Sequence, residues 1–151
     1  MSITIRQATA ADLPGLARLR WTWSKEGQQP LDCSFDEYAR DFADWYQQHE
    51  GFVAYVAADG PELVAMGFLA LASRVPDPRS FHRRTGDIQS MFVLPRHRNR
   101  GIGARVVERL VRHGRTSGCT RITVHSGGRA IPLYSRAGFA AQPNLLMLTI
   151  H

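Results

Sequence analysis

Lysine is almost missing from this chain. Of its nineteen basic residues, Lys25 alone is not an arginine. Cysteine is scarce too: Cys33 and Cys119 stand far apart, without the paired spacing of a metal site. Both are expected as free thiols in a reducing compartment, and no metal is expected. No apolar run is long enough to cross a bilayer as a helix, which excludes a membrane-spanning reading. The opening Met1-Ser2-Ile3-Thr4-Ile5 has no basic segment leading into an apolar one, so no secretory leader is expected and the location is read as cytoplasmic. Repeats, low-complexity tracts and linkers are also absent. One domain over residues 1–151 is therefore expected. The remaining composition, 44% hydrophobic and 21% charged, is that of an ordinary globule.

The charge that is present is unevenly placed. The formal net charge is +6, and fourteen of the eighteen arginines lie at or after Arg74. Seven of the thirteen acids fall between Glu26 and Glu50. A basic second half suits a polyanion, whether a nucleic acid or a phosphorylated small molecule.

Hydrophobic periodicity orders the elements. Ile3 to Gln7 alternates as a first strand. Thr9-Ala10-Ala11-Asp12 resembles a capping box, with Asp12 where Glu or Gln is usual, and opens a helix through Leu13, Leu16, Arg20 and Trp21. Ser34-Phe35-Asp36-Glu37 is a fuller capping box. Its helix aligns Phe35, Tyr38, Phe42, Trp45 and Tyr46, a stripe read first as core and second as the wall of a substrate pocket. Strands are expected at 52–58 and 63–73, with Gly67 at a bulge or a close approach. Residues 74–86, with Pro76 and Pro78, read as a loop. A strand at 121–125, a short helix at 129–137 and a closing hairpin, 139–142 with 145–150 about Pro143-Asn144, complete the chain.

The most informative stretch lies between these. Ile88 to Leu94 is short, apolar and closed by Pro95, as a strand would be. Ile102, Val106, Val107, Leu110 and Val111 recur at helical spacing. Between them stands Arg98-Asn99-Arg100-Gly101-Ile102-Gly103. Strand, basic glycine loop and helix together make an anion site, because the first helical turn leaves N–H groups unpaired at the positive end of the dipole. No Gly-Lys-Ser/Thr follows, so this is no P-loop. Val106 occupies the third glycine position of a dinucleotide fingerprint.

The loop, Val93-Leu94-Pro95-Arg96-His97-Arg98-Asn99-Arg100-Gly101-Ile102-Gly103-Ala104, resembles the acetyl-CoA loop of the GNAT superfamily of N-acetyltransferases. Ala130-Ile131-Pro132-Leu133-Tyr134-Ser135-Arg136-Ala137-Gly138-Phe139 is similar to that family's Ala-x-x-Leu-Tyr-x-x-x-Gly-Phe segment. The resemblance extends over essentially the whole chain. It implies an α/β GNAT fold: a mixed central sheet of about seven strands, splayed between the fourth and fifth, with four helices. It implies acetyl-CoA as co-substrate. The amides of Arg98, Asn99, Arg100, Gly101, Ile102, Gly103 and Ala104 would hold the pyrophosphate, and the backbone of Met91, Phe92 and Val93 the pantetheine arm. Tyr134 would protonate the departing thiolate.

Two positions depart from the family pattern. Gln89 stands where many relatives carry a glutamate base, and Gly127 where many carry an asparagine. Asp87, His125, a residue near Glu26 or a water chain remain candidates for the base. The acceptor is expected to be a small amine or a peptide, and a homodimer is left open. A catalytically silent CoA-binding domain, serving as sensor or assembly partner, is the second reading. A nucleic-acid module is the third, and no nucleic acid or membrane partner is expected.

Overall fold

The computed structural model describes residues 2–151. Met1, where the opening read for a leader begins, lies outside them. Five strands form one open sheet in the order β1-β2-β3-β4-β5: Ile3–Gln7, Phe52–Asp59, Glu62–Ser73, Arg84–Val93 and Cys119–Val124. The first four pair antiparallel, and β4 with β5 parallel. The helices are α1 (Leu13–Glu26), α2 (Phe35–Gln48), α3 (Ile102–Thr116) and α4 (Ile131–Arg136).

The middle strands are nearly continuous apolar runs because helices cover them. Val53 to Ala58 of β2 and Val64 to Leu69 of β3, Gly67 included, are buried throughout. Leu16 of α1 and Val106, Val107 and Leu110 of α3 are fully buried in the same core. Glycine at position 67 allows α3 to seat on β3. A Cβ there would lie 2.8 Å from Leu110 Cδ1, 2.9 Å from Met91 Sδ and 3.2 Å from Val106 Cγ1.

Both helix starts follow their sequence signals. The Asp12 carboxylate accepts the Thr9 N–H at 2.7 Å. Ser34 Oγ accepts the Glu37 N–H at 3.2 Å, while Glu37 Oε1 accepts the Ser34 N–H at 3.1 Å.

Four expectations are corrected. The sheet has five strands, not about seven. The closing hairpin does not form: Leu145 N–H donates to Gln142 O at 3.2 Å, so the turn is made, but its arms do not pair. The first arm offers only Ala140, Ala141 and Gln142 after Phe139, too little for a two-stranded ribbon to stand on. Leu145, Leu146, Met147, Leu148 and Ile150 are consequently exposed. The loop after β3 ends earlier than expected, since Arg84 to Gly86 pair with Leu71 to Ser73 and join β4. Finally, the aromatic stripe of α2 is not core: no residue of that helix is buried, and Phe42 and Tyr46 are half-buried against the core's edge.

Candidate active site

One groove gathers the glycine loop, the second half of β4 and the start of α4. Pairing between β4 and β5 ends at Ile88 and Val124, so Gln89 to Val93 have no β5 partner. A cavity of about 530 Å³ opens there, between β4 and the segment 124–136. Met91, Phe92, Val93, Arg98, Asn99, Gly101, Ile102, Gly103, Ala104 and Tyr134 all line it. Arg100, expected among them, does not.

The loop's geometry suits an anion. Gly101 adopts φ 77° and leads directly into α3, whose N-terminus has no side-chain cap. A Cβ on Gly101 would meet nothing within 4 Å, so the space beside the first amides is open. Asn99, at φ 63°, gives the loop a second left-handed turn.

The arginine at position 98 has another task. Its Nε donates to Val93 O at 2.9 Å, its guanidinium lies over the Phe92 ring at 5.5 Å, and Glu26 stands 3.7 Å away. It fastens loop to strand, which leaves the backbone to meet a guest. His97, also lining the groove, is buried with Nδ1 unpartnered among the described residues. A buried polar atom without a partner is costly, and a polar guest would satisfy it. These features fit a phosphorylated, amide-bearing co-substrate such as acetyl-CoA.

Tyr134 is 6% exposed, and its ring packs edge-on against Phe139, 5.6 Å between centroids. Its hydroxyl takes part in no hydrogen bond among the described residues. Burial raises its pKa above the usual tyrosine value, so the phenol keeps its proton at neutral pH.

A β-bulge joins this groove to a second cavity. Pairing steps from Met66–Phe92 to Phe68–Gln89, so Ser90 and Met91 oppose the single residue Gly67. Ser90 takes φ 52°, uncommon for a residue with a side chain. It lines both the groove and a cavity of about 370 Å³ walled by α2, β2 and β3.

Residues 16–139 fit the model of the Acetyltransferase (GNAT) family, which is most of the chain. The chain belongs to the GNAT family. This GNAT member is 37% identical over 81 residues to glucosamine 6-phosphate N-acetyltransferase 1 of Oryza sativa subsp. japonica, covering 52% of this chain and 49% of that one. The match thus spans about half the length of that curated relative. In structure the chain is similar to a predicted acetyltransferase of Clostridium acetobutylicum solved with acetyl-CoA, at TM-score 0.78 and 21% identity over 98% and 96% of the two chains. It is also similar to glucosamine-6-phosphate N-acetyltransferase of Arabidopsis thaliana, at TM-score 0.75 and 17% identity over the full length of both. At those identities the likeness is one of fold.

Of the candidate bases, His125 and Glu26 line the groove, Glu26 facing Arg98. Asp87 is held away from the groove, accepting Thr123 Oγ1–H at 2.8 Å and Gln89 Nε2–H at 3.0 Å. Trp23, which stacks on Phe92 at 5.4 Å, and Ser90 were not singled out as site residues in the sequence. Trp23 reaches the groove by packing and Ser90 by strand pairing, which no local motif announces; His97 lies inside the glycine loop, but its burial does not follow from the motif. No helix among the described residues is long and apolar enough to cross a membrane.

Proposed function

We propose that this GNAT-family protein is an acetyltransferase that moves the acetyl group of acetyl-CoA to a primary amine by direct attack within a ternary complex. The observation that carries the reading is the meeting of two cavities at Ser90. A thioester in the groove and an amine in the second cavity would face each other across the bulge.

Each part of the groove has a task in this reading. The loop amides at the start of α3, from Gly101 to Ala104, receive the pyrophosphate at the positive end of the helix, while the Arg98 N–H already donates to Pro95 O at 3.2 Å. The unpaired edge at Met91, Phe92 and Val93 takes the pantetheine amides as a strand would. A bulge leaves backbone groups outside the regular ladder, and an N–H so freed polarises the thioester carbonyl. The amine nitrogen forms a bond to the carbonyl carbon, the carbon–sulfur bond breaks, and the amine's surplus proton passes to water or a groove base. Tyr134 delivers its proton to the departing sulfur. Its elevated pKa means that the acid form is present when sulfur leaves.

The test is thiol release from acetyl-CoA over a panel of amines, with CoA binding measured by calorimetry. The wild-type chain is expected to bind CoA and turn over at least one amine. Tyr134→Phe is expected to lower kcat by about 10²-fold, with the CoA Kd within about threefold of wild type. An unchanged kcat removes Tyr134 from the mechanism. CoA binding without turnover of any amine favours the silent-domain reading.

A further inference from the structure

Resting on the acetyl-transfer reading above, we propose that the second cavity selects a primary amine carried on a flat apolar body, an arylalkylamine, and that Gln89 positions its nitrogen. Five of the nine residues lining this cavity are aromatic: Tyr38, Phe42, Trp45, Phe52 and Phe68. They brace one another. Phe42 lies 5.9 Å from Tyr38 and meets Phe68 edge-on at 6.3 Å, and Trp45 meets Phe52 at 4.9 Å. Phe68 is itself buried. Rings so interlocked keep their orientation and present apolar faces. A ring-sized apolar body gains by burial there, and an ammonium is drawn to the aromatic faces.

The polar groups of the cavity suit an amine better than a sugar phosphate. Arg20 is its one cationic residue, and that guanidinium already lies over the Trp23 ring at 4.5 Å and donates to Ser24 Oγ at 3.0 Å. Asp41, its side chain 79% exposed and 4.0 Å from Arg40 Nε, adds no donor to hold a dianion. The hydroxyls of a sugar would face ring surfaces that cannot bond them.

The orientation of Gln89 follows from its neighbour. A carboxylate offers only acceptors, so the group that Gln89 turns to Asp87 must be its NH₂. Thr123 Oγ1 holds Asp87 from the β5 side. The amide end left for the cavity is the carbonyl, an acceptor for an amine N–H next to Ser90, where the cavity meets the groove. A glutamine thus serves where a base is commonly expected. It positions the nitrogen and does not take its proton.

The probes are 2-phenylethylamine, 4-phenylbutylamine, glucosamine 6-phosphate and spermidine, with acetyl-CoA and the full chain. The arylalkylamines are expected to exceed the other two in kcat/KM by at least tenfold. Phe42→Leu, which keeps the site filled, is expected to raise KM for 2-phenylethylamine about tenfold. Gln89→Met is expected to lower kcat/KM by at least tenfold, while Gln89→Glu, which retains an acceptor oxygen but cannot donate to Asp87, restores part of it only when combined with Asp87→Asn. All variants should keep the wild-type CoA Kd. Preference for glucosamine 6-phosphate or spermidine, or an unaltered KM in Phe42→Leu, overturns the substrate class and leaves acetyl transfer standing. An unaltered kcat/KM in Gln89→Met overturns the positioning role. Failure of every amine, with CoA bound or not, removes the transfer reading and this inference together.

Discussion

Asp12 carries more hydrogen bonds than any other carboxylate among the described residues. It receives both arms of the Arg6 guanidinium, at 2.7 and 2.9 Å, and the backbone N–H and hydroxyl of Thr9. The Arg6 bonds chiefly, aided by Thr9, hold its pKa down to about 2 against an ordinary 3.8. A carboxyl whose pKa is lowered on folding stabilises the folded state above its unfolded pKa. That contribution fades as pH falls through the unfolded value towards the folded one. The shift corresponds to about 2 kcal/mol, reduced because the Arg6 side chain is 41% exposed to screening solvent. Asp12→Asn is therefore expected to lower unfolding free energy by about 1–2 kcal/mol at pH 7. The difference should narrow between about pH 4 and pH 2, as read from urea midpoints. A gap constant with pH would show that the ionised form adds nothing. At this scale the sequence was partly legible. Thr9 with Asp12 reads as a helix start, but the Arg6 fork depends on where β1 lies against the turn.

Helix α3 meets β3 closely at Gly67. Leu110 and Val106, whose methyl groups crowd Gly67, are fully buried and have little room to retreat. Gly67→Ala is expected to cost about 1–3 kcal/mol through overpacking, seen as a lower denaturation midpoint with unchanged slope. An unchanged midpoint would mean that the helix shifts freely, contrary to the packing described. The same crossing bears on the site, because Met91 of the bulge is among the crowded neighbours. The substitution is expected to weaken CoA binding as well as stability. The helix–strand units on either side of Gly101 were legible from periodicity and local punctuation. The bulge at Ser90 was not, since it is a mismatch between two strands and neither carries it alone. The C-terminal hairpin misled for a related reason. Apolar residues at 145–150 satisfy strand propensity, but pairing needs a second arm of matching length.

Over the whole molecule, charge is spent in two ways. Some arginines of the basic half hold the fold. Arg105 and Arg109 donate to the carbonyls of Ile3 and Ile5 at 3.3 and 3.0 Å, tying α3 to the first strand. Arg96 pairs with Glu62. These uses weaken the nucleic-acid reading, which rested on charge alone. The remaining excess in a chain of net charge +6 raises the local concentration of a polyanion. Raising salt from about 0.05 to about 0.3 M is therefore expected to weaken CoA binding several-fold, through a slower association rate observed in stopped flow. An association rate indifferent to salt would assign the binding to short-range contacts alone.

The sequence by itself determined the family and the glycine-led start of α3, because each is written in contiguous residues whose chemistry is local. Gly101 is required by its own backbone, and the first turn of α3 offers its amides whatever lies around it. Only the tertiary structure decided the number of strands, the bulge that joins two cavities, and the turning of Gln89 by Asp87 and Thr123. Those depend on which strand lies beside which, and pairing between distant segments is set by the packed core.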